Sequence, residues 1–316
     1  MNRYLIYISY IGTHFKAFTK TKANGEIITP TTIGVLEDAM QRLRTKNPIN
    51  VRTISVFIYL NFFRTDAGVH AINSAVFVDL ERSNSEPYDC NYITSKLNQA
   101  LEETPHQIRV NGAQRVPNTF NQHINGVKSR TYLYRLGVIK KNRNIDYTID
   151  EKYRCYFMHS DEFDIDRFKQ AAQMIQGMHD FRTFMTINND AHVSLILRAS
   201  FAVRKMNYVK VERAQALTVK PIEHEENVDY WNLTFNAQSF LYRQIRRIVG
   251  TLVTFAQGNI SQRDLYEMLT IPSQNSFKRK ITVAPAHGLY LANIEFRERC
   301  LTEEIYENHH CMKKCQ

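Results

Sequence analysis

Two successive series of strand and helix patterns constrain the fold of this chain more than any other feature of its sequence. The first series begins with alternating residues at 3–10, which predict a strand. Thr32 then opens a helical pattern with an apolar face. The series continues with predicted strands at 51–55 and 71–80, a helix at 92–101 and a strand at 108–116. The resulting element order is β-α-β-β-α-β.

The second series follows Pro117 and resembles the first in element order, though not in sequence. Asp164 is predicted to cap a helix, and Ser261 with Asp264 fits a capping box at the start of another. The predicted elements are strands at 130–138, 195–203, 230–235 and 289–296, and helices from 164, at 239–256 and at 261–269.

Two such series predict an α+β protein built from two related split-βαβ halves, with largely antiparallel sheets that form a central basic cleft. The N-terminal half is predicted to span 1–117 and to carry a loop with Asp66. The C-terminal half is predicted to span 118–298 and to carry Tyr132 and an arginine-rich helix. Residues 299–316 are expected to form a flexible tail.

The charge balance favours a polyanionic partner. Lys and Arg number 41 against 31 Asp and Glu, which gives a net charge of +10, and such an excess attracts nucleic acid by steering and counterion release. A role in solubility alone remains the alternative. Five scattered cysteines favour a reducing compartment. No apolar run approaches the roughly 20 residues of a membrane span, so no membrane partner is expected, and there is no clear targeting signal.

Asp66 is the strongest candidate for a reactive group. In an extended segment, Arg64 and Asp66 would face the same side, and the cation would keep the carboxylate ionised. Ala67 and Gly68 leave room for a close backbone approach. A carboxylate beside a bound nucleotide can act as a nucleophile or a base. The alternative is an ordinary Asp-x-Gly turn with a surface ion pair.

Aromatic and basic residues of the C-terminal half suggest contacts with RNA. Tyr132 could stack on an unpaired base while Arg130 and Arg135 meet phosphates, although a half-buried strand face explains the same pattern. Arg246 lies at the boundary of an apolar helical stripe, where it could clamp a phosphate or carboxylate. Further basic candidates are Arg243 and Arg247, which also fit a solvated helix face, and Lys140 and Lys141, which also fit a solvated turn.

Several classes of site are absent from the sequence. There is no phosphate-binding G-x-x-x-x-G-K-[ST] loop, no H-E-x-x-H and no paired C-x-x-C. Neither a nucleotide cofactor nor a catalytic metal is therefore implied.

Four segments together resemble the signature of TruA-type tRNA pseudouridine synthases. They are residues 64–71, 129–135, 240–250 and 286–291, in the family's order and at plausible distances. The resemblance spans about residues 3 to 296, and the runs 238–244 and 283–289 are most similar to an animal branch of the family.

The resemblance implies a cofactor-independent isomerisation of uridine to pseudouridine in tRNA. The target base leaves its stack, and the C1′–N1 bond is exchanged for a C1′–C5 bond. Asp66 matches the catalytic aspartate, and Arg64 the arginine that takes the place of the flipped base. Tyr132 matches the stacking tyrosine, Arg246 the arginine that pairs with the aspartate, and Leu289 a pocket-lining residue. Family members are often homodimers, other RNA is a further candidate substrate, and the mitochondrion and the cytoplasm both stay open.

One departure from the family pattern lies beside the aspartate. Phe63 stands where the family has a small residue, and removal of residues 56–63 (VFIYLNFF) would restore the expected sequence before Arg64. We hypothesise that this segment is an insertion, such as a translated intron. If it disables the site, the alternative function is a non-catalytic RNA-binding or RNA-chaperone protein. A glycosidase that uses Asp66 to release a base is a third reading, but the sequence places no second carboxylate as its partner.

Overall fold

A computed structural model of the chain describes 239 residues in separate ranges, and the account below is limited to them. The described ranges are 1–18, 22–23, 26–27, 30–43, 45, 49, 51–53, 66–82, 84, 86–120, 126–140, 147–159, 163–186, 202–218 and 227–302. Arg64, Lys141 and the segment 56–63 lie outside these ranges, so the predictions made for them stay predictions.

The chain divides into two compact units. Unit 1 comprises Met1–Ser129 with Ala292–Gln316, and unit 2 comprises Arg130–Leu291. The sequence predicts a division at 117/118 and assigns the last strand to the C-terminal half, whereas the last strand here is divided between the units at 291/292. The predicted tail begins with a short 3-10 helix, Glu298–Cys300.

Unit 1 follows the element order predicted from the sequence except for two additional two-residue strands before the first helix. Its elements are strand β1 (Asn2–Tyr10), the two-residue strands β2 (Lys22–Ala23) and β3 (Glu26–Ile27), helix α1 (Thr32–Met40), strand β4 (Arg52–Thr53), strand β5 (His70–Leu80), helix α2 (Cys90–Glu102) and strand β6 (Ile108–Val116). Strand β1 lies between β6 and β5, and both pairings are antiparallel. Helix α2 packs against α1 and β6. The buried side chains of the core include Leu5, Leu36 and Ile93.

Unit 2 contains most of strand β7 (Val127–Ile139) and the start of β12. Its further elements are strand β8 (Tyr156–His159), helix α3 (Ile165–Ile175), strands β9 (Gly177–Asp180), β10 (Val203–Ala214) and β11 (Val228–Ala237), helix α4 (Gln244–Ala256), helix α5 (Gln262–Thr270) and strand β12 (Leu289–Phe296). Strands β7, β11, β10 and β9 pair antiparallel in that order, while β8 runs parallel to β7. Helix α3 packs against α4 and β10. The predicted α+β class with a largely antiparallel sheet is therefore confirmed.

The predicted caps are confirmed as well. The Asp164 carboxylate accepts hydrogen bonds from the N–H groups of Asp166 and Arg167 at the start of α3. Ser261 and Asp264 form a reciprocal capping box at the start of α5. Each side chain thus satisfies backbone donors that a helix N-terminus otherwise leaves without partners.

The helix predicted at 239–256 is wrong at its start. Helix α4 begins at Gln244, and Arg243 before it has a left-handed backbone with φ of 58°. The carbonyl of Tyr242 accepts a hydrogen bond from the Thr186 N–H, and the Gln244 side chain accepts one from the Leu241 N–H. Because the Tyr242 carbonyl is bonded to Thr186 and the Leu241 N–H to a side chain, neither group takes part in helical hydrogen bonding, and the apolar periodicity that continues from Leu241 does not extend the helix. Within the described residues, no helix is long and apolar enough to cross a membrane.

Candidate active site

Asp66 opens a tight turn in unit 1. Its carbonyl accepts a hydrogen bond from the N–H of Val69, and Gly68 has φ of 83°. The positive φ at the third position of this turn is one that glycine adopts without strain. The Asp66 side chain is partly buried. The sequence predicts either an ordinary turn or a reactive aspartate, and the structure shows that Asp66 is the first residue of a turn.

Gly12 fixes this turn in place from the end of β1. A Cβ atom at Gly12 would lie only 1.9 Å from the carbonyl oxygen of Val69, so the backbone of Gly12 packs directly against the turn. The Gly12 N–H donates a hydrogen bond to Nδ1 of His70. His70 is completely buried, and since its Nδ1 accepts, a neutral ring carries its proton on Nε2. Sequence reasoning missed both supporting roles, although His70 lies within the 64–71 motif.

In unit 2, Tyr132 on β7 is a partly buried aromatic held in a defined orientation. Its ring contacts the Phe240 ring edge to face, with 5.0 Å between centroids. In the register of the sheet it pairs with Phe235 of β11. Strand pairing and this ring contact together fix the orientation of the Tyr132 ring.

Arg246, in the first turn of α4, is fixed by the segment that leads to β12. Its Nε donates a hydrogen bond to the carbonyl of Ala284 at 2.8 Å, and its own carbonyl accepts the Ala284 N–H at 3.1 Å. One turn later, a Cβ atom at Gly250 would lie 2.0 Å from the carbonyl oxygen of Thr282. Glycine therefore permits the close approach that brings the Ala284 backbone to the arginine.

The segment after Ala284 is fixed to β7. The Tyr134 hydroxyl donates a hydrogen bond to the carbonyl of Pro285. A Cβ atom at Gly288 would lie 2.7 Å from the Tyr134 ring. Tyr134 is completely buried, and this burial raises its pKa well above the ordinary value. Leu289, which directly follows Gly288, is 6% exposed, so it fits either a pocket wall or the core.

His287 lies between Arg246 and the loop before β8. Burial, reinforced by the positive charge of Arg246, lowers the pKa of the His287 imidazole below its ordinary 6.5. The imidazole also forms a hydrogen bond with the Cys155 backbone and an edge-to-face contact with the Tyr153 ring. A neutral His287 avoids a second positive charge beside Arg246.

The remaining basic candidates differ in how they are placed. Arg130 is 7% exposed, and its Nη1 donates a hydrogen bond to the carbonyl of Gln238. Burial lowers the Arg130 pKa. Arg243 is exposed and lies over the Tyr242 ring, with 5.1 Å from its Cζ to the ring centroid. Lys140 is also exposed.

For Arg247, the interpretation as part of a solvated helix face is wrong. Its guanidinium lies 3.6 Å from the Phe277 ring centroid, and its Nη2 donates a hydrogen bond to the carbonyl of Thr183. Burial, together with the neighbouring charge of Arg243, lowers the Arg247 pKa. These two partners lie far away in sequence, which explains why helical periodicity could not identify them.

Comparison with known proteins identifies the family to which these motifs belong. A family model described as tRNA pseudouridine synthase matches residues 171–297. The chain is 34% identical to tRNA pseudouridine synthase-like 1 of Homo sapiens, over 92% of this chain and 89% of that protein. It is 30% identical to the protein of the same name in Xenopus laevis, over 93% and 91%.

A bacterial relative extends the likeness. The chain is 29% identical to tRNA pseudouridine synthase A of Afipia carboxidovorans, over 94% of this chain and 100% of that protein. The resemblance read from the four motifs is thus confirmed along most of the chain. The chain belongs to the TruA-type tRNA pseudouridine synthase family, a family of isomerases.

Proposed function

We propose that this protein isomerises uridine to pseudouridine in tRNA, with Asp66 as its catalytic residue. The observation that carries the proposal is the Asp66 turn, which stands at the family's signature and is fixed by Gly12 and His70. Such support holds a reactive carboxylate within the narrow tolerance that catalysis needs.

Each further residue has a distinct role in this proposal. Tyr132 stacks on the target base, since its ring is fixed by Phe240 and partly exposed. Arg246 pairs with the Asp66 carboxylate through its Nη atoms, because its Nε is used in binding Ala284. Arg64 takes the place that the flipped base leaves, and Leu289 lines the base pocket.

The reaction needs no external reactant other than protons exchanged with water. Asp66 assists cleavage of the C1′–N1 bond in one of two ways: it attacks the sugar or the base, and the bond so formed to its carboxylate breaks again before the product leaves, or it acts as a base. The uracil then rotates, its C5 forms the new bond to C1′, and the proton on C5 is lost while N1 gains one. The product is an isomer of the substrate, so no oxidant or reductant is consumed.

The exposed cations Lys140 and Arg243 contact the tRNA backbone, and Lys141 does so from its neighbouring position. Arg130 and Arg247 belong to the proposed RNA surface, where Arg130 donates to the Gln238 carbonyl, and Arg247 donates to the Thr183 carbonyl and lies over the Phe277 ring. Their contribution is to hold the residues around them. A homodimer and activity on other RNA are further parts of the proposal. Sedimentation and assays on unmodified mRNA fragments test these two.

The test of the proposal is pseudouridine mapping in unmodified tRNA incubated with wild-type protein and with Asp66→Asn. We expect modification by the wild type and none by the variant. Asp38→Asn is a matched control, because Asp38 is an exposed aspartate of α1 in the same unit, and it is expected to behave as the wild type. Equal modification by Asp66→Asn would refute the assignment.

Assays of tRNA binding and of free uracil, added to this experiment, separate the two alternative functions. A non-catalytic RNA-binding protein would retain tRNA without isomerising it, and deletion of residues 56–63 would not restore activity. A glycosidase would instead release free uracil, which chromatography of the reaction detects. Sequencing of mature transcripts tests whether 56–63 is a translated intron, because its presence in every message would contradict that idea.

A further inference from the structure

Tyr153 is an exposed aromatic in a strained backbone conformation. It has φ of 60°, in the left-handed region, and its residue is 58% exposed. Left-handed backbone is unfavourable for a residue with a large side chain and persists where the surroundings impose it. Among the described residues, only Arg243 shares this property without being glycine, and Arg243 directly precedes the helix that carries Arg246.

Buried contacts on both sides of Tyr153 impose its conformation. Glu151 is completely buried and receives two hydrogen bonds of 3.0 Å from the Arg135 guanidinium of β7. Its Oε1 also accepts the N–H of Leu217. On the other side, the Arg154 carbonyl accepts a 2.6 Å hydrogen bond from the Tyr290 hydroxyl of β12. The loop is thus held at residues 151 and 154, and the ring of Tyr153 points outward from a rigid support.

This ring lies beside the proposed catalytic machinery. It contacts the His287 ring edge to face, with 6.0 Å between centroids. His287 forms a hydrogen bond with the Cys155 backbone, and its imidazole interacts electrostatically with Arg246. The Lys152 ammonium lies 5.4 Å from the centroid of the Tyr153 ring. Because this cation lies over one face of the ring, a base would stack on the opposite face, and proteins commonly combine an exposed aromatic with a nearby cation to bind an unpaired base and its phosphate.

We infer that Tyr153 is a second stacking platform, which binds the base of an RNA nucleotide other than the flipped uridine. The inference rests on the proposed function, because it places this nucleotide in the same substrate. Tyr153 positions the RNA and takes no part in bond exchange. The strained loop presents the ring before RNA arrives, so little ordering is needed on binding.

The first test separates the ring from the backbone strain. Tyr153→Asn removes the ring but suits left-handed backbone, and Tyr153→Phe keeps the ring. Since base–aromatic stacking changes affinity roughly 5- to 150-fold, we expect Tyr153→Asn to weaken tRNA binding and raise KM by a factor in that range. Its melting temperature should equal or exceed that of the wild type. Tyr153→Phe should stay within about twofold of the wild type, since the face of the ring is unchanged.

A matched control is Tyr266→Asn, because Tyr266 of α5 is also 58% exposed and lies outside the proposed site. It should leave binding unchanged. Wild-type affinity and KM in Tyr153→Asn would overturn the inference, as would an equal loss in Tyr266→Asn. Either result would leave the proposed function standing if Asp66→Asn were inactive.

The second test observes the contact directly. tRNA containing 5-iodouridine is irradiated with the Asp66→Asn protein, and crosslinked peptides are identified by mass spectrometry. We expect a crosslink at Tyr153 that is lost in the Asp66→Asn, Tyr153→Asn double variant. Crosslinks confined to other residues would overturn the inference. If the wild type bound tRNA but formed no pseudouridine, the proposed function would fail, while the crosslink would still report on Tyr153.

Discussion

Arg246 and Ala284 hold each other by two hydrogen bonds, one from the arginine Nε to the Ala284 carbonyl at 2.8 Å and one from the Ala284 N–H to the arginine carbonyl at 3.1 Å. The guanidinium of a flexible side chain thereby gains a fixed position. Because Ala284 belongs to the segment that also carries His287 and Leu289, this pair ties helix α4 to the rest of the proposed site in unit 2.

Gly250→Ala is expected to disturb this pair from one helical turn away. The new methyl group would meet the Thr282 carbonyl at 2.0 Å, and overpacking of this kind costs about 1–3 kcal/mol. We expect a stability loss of that size in urea unfolding, together with a fall in kcat as the 282–284 segment moves away from Arg246. Destabilisation with an unchanged kcat would show that Arg246 keeps its position without the close contact.

Gly12→Ala is expected to impair catalysis through the Asp66 turn. The added Cβ would lie 1.9 Å from the Val69 carbonyl oxygen, so the turn must shift. Gly112→Ala on β6 in the same unit is the matched control, since a Cβ there meets no atom within 4 Å. The control should keep activity and be unchanged or stabilised by up to about 1 kcal/mol. The test measures kcat and urea unfolding in both variants. Equal kcat values for Gly12→Ala and Gly112→Ala would contradict the role of Gly12.

The Arg135–Glu151 ion pair is expected to be essential for stability. Both side chains are almost fully buried, so Glu151→Gln leaves an uncompensated buried cation, which typically costs 3–5 kcal/mol. Glu102→Gln is the comparison, because the Arg109–Glu102 pair is more than 60% exposed and such pairs contribute at most about 1 kcal/mol. Urea unfolding of both variants measures the difference. Similar losses in the two would contradict the structural account of the Tyr153 loop.

His287 gives part of the protein's stability a dependence on pH. Its folded-state pKa lies below the ordinary 6.5, so the unfolded chain takes up a proton first as the pH falls. The stabilising contribution is therefore complete above about 6.5 and is lost progressively below it, until the pH reaches the folded-state value. Wild type and His287→Gln unfolded in urea at pH 7.5 and 5.5 should diverge, with a smaller acid loss in the variant. Parallel losses would exclude His287 as the cause.

Local chemistry explains why part of the fold could be predicted from the sequence. Strands β6 and β12 begin and end where alternation predicted. The helices capped by Asp164 and Ser261 begin at their caps because a side-chain oxygen satisfies the first backbone donors. The short strands β8 and β9 carry too few residues to show a period.

Long-range contacts explain what the sequence could not show. The start of α4 depends on a hydrogen bond from Thr186 to Tyr242, which no local pattern predicts. Arg247 is held by the Phe277 ring and the Thr183 carbonyl. The motifs single out Asp66, Tyr132 and Arg246 as candidates, but the contacts that hold them, such as those of Gly12 and Ala284, are visible only in three dimensions. Tyr153 had no signal in the sequence, because a left-handed backbone at a tyrosine follows from its anchors at Glu151 and Arg154.

The most direct test of the central claim measures the proton that leaves C5 of uridine. In a single turnover with unmodified tRNA tritiated at C5 of its uridines, wild-type protein and Asp38→Asn should release tritium to water at equal rates. Asp66→Asn should release none and should form no pseudouridine. Release at the wild-type rate by Asp66→Asn would contradict Asp66-dependent isomerisation.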